Sequence, residues 1–347
     1  MRFNGRLLKK QNTYEYVCAM VMIKDEEIMN FNKDVPVLFL IFNRPDTTKQ
    51  VFEAIREAKP RRLYVMADGP RLSREGEEER CLQTRKIIDQ VDWKCKVETQ
   101  FFDKNLGCQK ILSSSRDWFF EHEEMGVILE DDCLPAPSFF SFCSELLERY
   151  KNDTRIMMIS GNNFQDGQVR GEASYYFSRL SNTWGSATWR RAWKLMDLEM
   201  SLVEDFRKPS IIDDIFLDEN IALAWRLAFA YTRFKKVSSW AYPWFFSMLV
   251  QNGLSIVPNK NLVKNIGFGE GSTHTTNLDS KFANLPLEQL EHDLIHPKAV
   301  FPNQKADRYE HFCLNCFPLL EKMSLKYRWK RMRRARRFRM KINELYS

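Results

Sequence analysis

No run of apolar residues in the chain of 347 approaches the ~18 needed for a bilayer-crossing helix. The nearest stretch, 240–257, is broken by Pro243, Gln251 and Asn252. A transmembrane helix is therefore not expected. Near the N-terminus YVCAMVMI follows basic residues, but KDEE stands where a small-residue cleavage site belongs, so no secretory signal is read and residues 1–34 are taken as an extension. Cysteine framework spacing is also lacking: eight cysteines are scattered through a chain long enough to build its core without staples. Reduced thiols in a cytoplasmic protein are expected. The Cys313–Cys316 pair, with His311 beside it, has no second pair to complete a zinc site and reads as structural or incidental. Internal repeats and low-complexity linkers are missing as well.

Acidic residues are absent from 326–341 (KYRWKRMRRARRFRMK), which holds ten Lys and Arg. With those ten set against the formal net charge of +7, the rest of the chain is left at −3. Its basicity is therefore local. Leu325, Trp329, Met332, Ala335 and Ile342 recur at roughly helical spacing, the pattern of a basic amphipathic helix on an anionic membrane surface at the inner face. Nucleic acid is not expected as a partner, because nothing else in the chain supplies a base-reading element.

From residue 35 the pattern becomes regular. VPVLFLIF is a buried-strand run, NRPD breaks it, and Val51, Phe52, Ile55 and Ala58 carry a helical period up to Pro60. A second strand, RRLYVMA, ends in Asp68-Gly69-Pro70. An acid-rich helix over 75–90, a strand over 96–102, a helix over 108–122 and the strand VILEDD follow. Beyond it, IMMISG and ASYYFSRL read as strands, TWGSATWRRAW as the entry to a helix, and 211–230 as one helix. Strands alternating with helices of this length predict an α/β fold: a Rossmann-like, mostly parallel sheet covered by helices on both faces. The expected organisation is a 35–300 catalytic domain, with a nucleotide-binding half at 35–132 and an acceptor-side half at 133–300. A helical segment at 301–347 ends in the basic tail.

In such sheets ligands bind outside the carboxyl ends of the strands. Those ends carry Asn43-Arg44, Asp68-Gly69, Lys104-Asn105 and Glu130-Asp131-Asp132, four polar clusters expected to meet in one cleft. Three adjacent carboxylates beside a core repel one another unless a cation offsets them. With Arg44 and Lys104 close by, they suit Mn²⁺ or Mg²⁺ bridging to a phosphate-bearing ligand, since such ions take one or two protein carboxylates and fill their shell with phosphate and water. A solvated acidic turn is the plainer alternative.

The order NRPD, ADG, KNLG with a helix, then VILEDDCLPAPSFF resembles the nucleotide-diphospho-sugar transferase (GT-A) fold of glycosyltransferases, over roughly residues 35–275. Within that fold the chain is similar to bacterial family-2-like, hemolytic-protein-like glycosyltransferases. It is more distantly similar to the Golgi N-acetylglucosaminyltransferase that opens complex N-glycan synthesis. The resemblance implies a metal-dependent enzyme that transfers a sugar from a nucleoside diphosphate sugar to a hydroxyl acceptor, a saccharide or lipid-linked glycan. It implies that Asp132 ligates the metal, that Arg44 and Asp68 contact the nucleotide, with Asp68 near the base, and that Glu130 and Asp131 face base and ribose. Asn43 and Lys104, at neighbouring strand ends, join the donor-contacting set. The glycine-rich stretch GFGEGSTHT (267–275) resembles the loop that closes over the diphosphate, with Ser272, Thr273 and His274 as donors.

One departure concerns the base. The Golgi relative has Trp-Asp ahead of its closing loop, whereas this chain has Trp240-Ala241. The base role then falls to Asp214, with Asp213 and Asp218 as alternatives; the same acids also suit a helix N-terminus. Among the tryptophans, Trp184 and Trp240 are the expected acceptor contacts, and the rest are core. A nucleotidyltransferase is the rival enzyme, but it calls for a glycine-rich basic loop after the first strand, where NRPD has no glycine. A sugar-nucleotide or membrane-surface binding protein without activity is the rival from another class; it predicts donor binding without turnover.

Overall fold

The structure is a computed structural model that describes residues 31–216, 218–269, 282–290, 293–315 and 325–347, with backbone alone for 312–315 and 325–331. Ser272, Thr273 and His274 lie outside the described residues.

The first half alternates strand and helix as its periodicity dictates. Strand β1 (Val37–Ile41) is buried at every position, which is what an unbroken apolar run becomes when a sheet is covered on both faces. Helix α1 (Pro45–Ala58) starts with Pro at its first turn, where a missing N–H costs nothing, and turns Val51, Phe52, Ile55 and Ala58 inward. Lys59, with φ 53°, ends it. Then come β2 (Arg62–Ala67), α2 (Glu77–Lys86), β3 (Lys96–Phe101), α3 (Cys108–His122) and β4 (Met125–Glu130). Strands β2, β1 and β4 are parallel neighbours, with β3 parallel on the outer side of β2.

The second half adds β5 (Cys133–Pro135), α4 (Pro137–Arg149), β6 (Ile156–Ser160), β7 (Tyr175–Ser178), β8 (Ser186–Trp189), α5 (Arg190–Trp193), α6 (Ile211–Ile215), α7 (Glu219–Arg233), α8 (Ala241–Val250), β9 (Leu254–Pro258) and β10 (Val263–Asn265). The eight-stranded sheet runs β3-β2-β1-β4-β8-β6-β9-β7, with β7 and β8 reversed against the other six; β5 and β10 form a separate antiparallel pair. One face buries Val37, Phe39 and Ile41 against α1 and α4. The other buries Leu38 and Leu40 against α3, α5 and α8. This is the mixed α/β, mostly parallel, doubly covered sheet that the pattern implies.

Two elements differ from expectation. The helix expected to begin in TWGSATWRRAW begins only at Arg190, because Ser186–Trp189 pair as a strand between β4 and β6. There the Thr188 hydroxyl donates to the Met157 carbonyl at 2.6 Å. The single helix expected over 211–230 is two: Ser210 and Asp213 cap α6 as a capping box, and Asp218 caps α7 through the N–H groups of Asn220 and Ile221.

Helix α9 (Gln304–Asn315) closes the β7 edge: the Ser178 hydroxyl donates to Asp307 at 2.6 Å, and Gln165 donates to buried Glu310. The basic tail forms helix α10 (Leu325–Leu345). Its expected membrane stripe needs correcting. Ala335 and Ile342 are buried in one cluster with Leu223, Leu227 and Phe229 of α7, with Phe338 and Leu345 packed beside them. The apolar side of α7 requires cover, and these side chains supply it; Met332 alone of the described stripe stays exposed.

Candidate functional site

The carboxyl ends of β1, β2 and β4 open into one cleft of about 380 Å³. Arg44, Asp68 and Asn105 line it together with Glu130, Asp131 and Asp132. Thr183, Trp184, Ser238, Ser239, Trp240, Ala241 and Asn265 also line it, and Gly107 and Cys108 bring in the N-terminus of α3, whose dipole favours an anion.

The acidic triplet sits where β4 stops. Glu130 is the last strand residue, so Asp131 and Asp132 are free of strand alternation and turn toward the same cation. The Arg44 Nη1 group donates to Asp132 Oδ2 at 2.8 Å and lies 3.7 Å from Asp131 Oδ1. Asp131 Oδ2 also accepts from the Phe42 N–H at 3.0 Å, which ties the turn to β1. On the other side, Arg116 Nη2 lies 3.7 Å from Glu130 Oε1. Arg116 is one of the most buried side chains in the protein: it donates to the Leu112 carbonyl at 2.6 Å and stacks over Trp240 at 3.7 Å from the ring centroid.

Two guanidinium groups against three carboxylates leave the site negative, and the titration behaviour follows. Burial pushes Asp131 well above the usual carboxylate range, with Asp132 adding to the rise and Arg44 opposing it. Glu130 keeps 28% of its side chain exposed, yet that part faces a narrow cleft, and loss of hydration pushes it up to about 7 against the pull of Arg116. Burial works against the charge on Arg44, but Asp131 and Asp132 outweigh it and raise its pKa. Cys108, also in the cleft, is pushed up to about 12 by burial and then by Glu130, so it remains a thiol rather than a nucleophile.

The two remaining clusters do structural work at the rim. Asp68 Oδ1 accepts from the Gly69 and Leu106 N–H groups at 2.8 and 2.7 Å, and Oδ2 from Gly107 N–H and the Asn105 amide at 3.2 and 3.0 Å. Its carboxylate is thus occupied in holding the loop that starts α3. Burial raises its pKa, and the Leu106, Gly69 and Gly107 N–H groups oppose the rise. Gly69 is needed there, because a Cβ would sit 2.4 Å from the Lys104 backbone. At the other wall the chain leaving β10 crosses over the triplet: Ile266 N–H donates to the Asp132 carbonyl at 2.7 Å, and a Cβ on Gly267 would lie 2.3 Å from Asp132 Oδ2. The glycine-rich stretch therefore begins in contact with Asp132.

Several expected residues are placed elsewhere. The Asn43 amide donates to Glu77 at 2.8 Å, and Glu77 also holds Arg71; Lys104 is exposed, and neither lines the cleft. The base candidates Asp213, Asp214 and Asp218 do not line it either. Asp213 accepts from Ser210 N–H and Arg226, Asp218 caps α7, and Asp214 is exposed. Their acidity is explained by two helix starts in close succession. Trp184 lines the cleft with its ring edge-on to Phe164 and Phe268 at 5.1 and 5.9 Å. Trp240 lines it too, but one face carries Arg116, which makes it a support for the Glu130 partner.

Arg116 was not anticipated from the sequence, although a signal exists. It stands four residues after Leu112 and three before Phe119, inside the buried stripe of an amphipathic helix, where an arginine requires an anion. Among the described residues no three His, Cys, Asp or Glu side chains converge as a ready-made metal cage. Hard cations that share a phosphate ligand need no such cage, and the oxygen-only, net negative triplet fits one. No family model matches this chain, and no curated protein matches it.

Proposed function

We propose that this chain is a divalent-cation-dependent glycosyltransferase of the GT-A, nucleotide-diphospho-sugar transferase kind, which moves a sugar from a nucleoside diphosphate sugar to a hydroxyl acceptor on a saccharide or lipid-linked glycan. The observation that carries the reading is the Glu130–Asp131–Asp132 turn with Arg44, set in a cleft at the carboxyl ends of three adjacent parallel strands. In transfer, the acceptor oxygen bonds to the anomeric carbon and its hydroxyl proton passes to solvent, while the bond to the diphosphate breaks and the diphosphate leaves with the electron pair. Asp132, with Asp131 beside it, would hold the Mn²⁺ or Mg²⁺ ion, which when bound would supply Lewis-acid stabilisation of that leaving charge. Arg44 adds a fixed positive charge at the same point, and the N-terminus of α3 adds its dipole. Arg116 holds Glu130 in place from behind, braced by Trp240. Trp184 offers an apolar wall for a sugar ring.

One observation favours a second reading. Ala241 lines the cleft, and the three acids expected to take the acceptor proton do not. A sugar-nucleotide binding protein without turnover would have that arrangement. The two part in a single assay. With Mn²⁺, an acceptor mixture and a panel of sugar nucleotides, the proposal expects nucleoside diphosphate release from at least one donor and its loss in chelator. Donor binding with no release from any of them would support the binding protein.

A further inference from the structure

We infer that the outward face of α10 is a docking surface for an anionic lipid bilayer, an inference that stands apart from the glycosyltransferase reading. The helix is already anchored on its inner side, where Ala335 and Ile342 are buried against α7 and Arg339 pairs with Glu219. Positions 333, 336, 337 and 340 follow the i, i+3, i+4, i+7 repeat of one stripe on the opposite side. There Arg336 and Arg337 are exposed and Met340 is 54% exposed; Met332, a heptad before Arg339, lies on the flank between this stripe and the buried side and is 63% exposed. Glu344 is the acid on this face, in the final turn.

Exposed methionines interleaved with arginines separate a membrane from other polyanions. A headgroup layer offers phosphates to the guanidinium groups and an acyl boundary to the thioethers. A nucleic acid backbone would use the arginines and leave the methionines wet. Charge makes the partner an anionic surface: 326–341 holds ten basic residues and no acid in a chain otherwise at −3. The helix is also held on the body before it meets a partner, so binding does not have to fold it.

The test uses the full chain and sedimentation with phosphatidylcholine vesicles prepared with and without phosphatidylglycerol. Binding is expected to the anionic vesicles, released as salt shortens the Debye length toward ~3 Å at 1 M. Arg336→Glu with Arg337→Glu is expected to lower the partition coefficient about tenfold or more. Lys49→Glu with Lys86→Glu, an equal charge change on exposed positions of α1 and α2, is expected to leave it near the parent value. Met332→Ser with Met340→Ser is expected to weaken binding without altering its salt dependence. Thermal midpoints confirm that each variant is folded. Equal loss from both charge-reversed pairs, no preference for anionic vesicles, or tighter binding to duplex DNA that ignores the methionine change would overturn the inference.

Discussion

Asp132→Ala is expected to lower turnover by about 10³-fold or more, the scale of electrophilic stabilisation at a leaving group, while leaving the protein folded. The carboxylate holds one guanidinium bond from Arg44 and a contact with the Cys133 thiol, and Arg44 keeps Asp131 when Asp132 is gone. Removing one of three crowded anions also relieves Glu130 and Asp131, whose pKa values Asp132 helps to raise. Stability should therefore hold or rise slightly as activity disappears. Nucleoside diphosphate release, read beside a thermal melt, checks both halves. Turnover within a few-fold of wild type, or turnover that survives chelator, would remove Asp132 from the role.

The second large effect falls on stability. Asp68→Asn is expected to cost about 3 kcal/mol, because the side chain accepts four hydrogen bonds and a carboxamide can accept on one side only. Its NH₂ would face two donors, whichever way it turned. Since the loop 105–107 starts α3 and lines the cleft, the loss should also loosen that wall. A fall of about 5 °C in the thermal midpoint corresponds to this cost in a chain of this size. An unchanged midpoint with a large loss of nucleotide affinity would mean that Asp68 serves the ligand directly and the loop is held by other contacts.

These two carboxylates show how unevenly the sequence speaks. Strands β1 and β4, with the helices after β1 and β3, were legible because unbroken apolar runs and i, i+3, i+4 repeats leave few alternatives, and Pro60 and Gly107 mark boundaries. The meeting of Arg44, Asp68, Asn105 and the triplet followed from parallel-sheet geometry alone. Strand β8 was missed because four small or mixed residues carry no period, and its place between β4 and β6 is a tertiary fact. The Asp213–Asp218 cluster looked catalytic because capping and catalysis draw on the same residue type; Asp218 just ahead of an apolar repeat was the available cap signal. The face of α10 could not be assigned from one sequence segment, since the apolar surface of α7 decides which side it covers. Glu77, in the acid-rich helix, is buried because Arg71 and Asn43 converge on it from loops, which the sequence of the helix does not reveal.

Asp132 and its neighbours are expected to hold a divalent cation together with a nucleotide diphosphate. Electron paramagnetic resonance of Mn²⁺ tests it most directly, because the sharp signal of the free ion is lost on binding. With uridine, guanosine, cytidine or thymidine diphosphate present, adding wild-type protein should remove free Mn²⁺ beyond what that nucleotide removes alone, for at least one of the four. Adding Asp132→Ala should not. A free Mn²⁺ signal that wild-type protein leaves unchanged with every nucleotide, or that the variant removes equally well, would contradict the account.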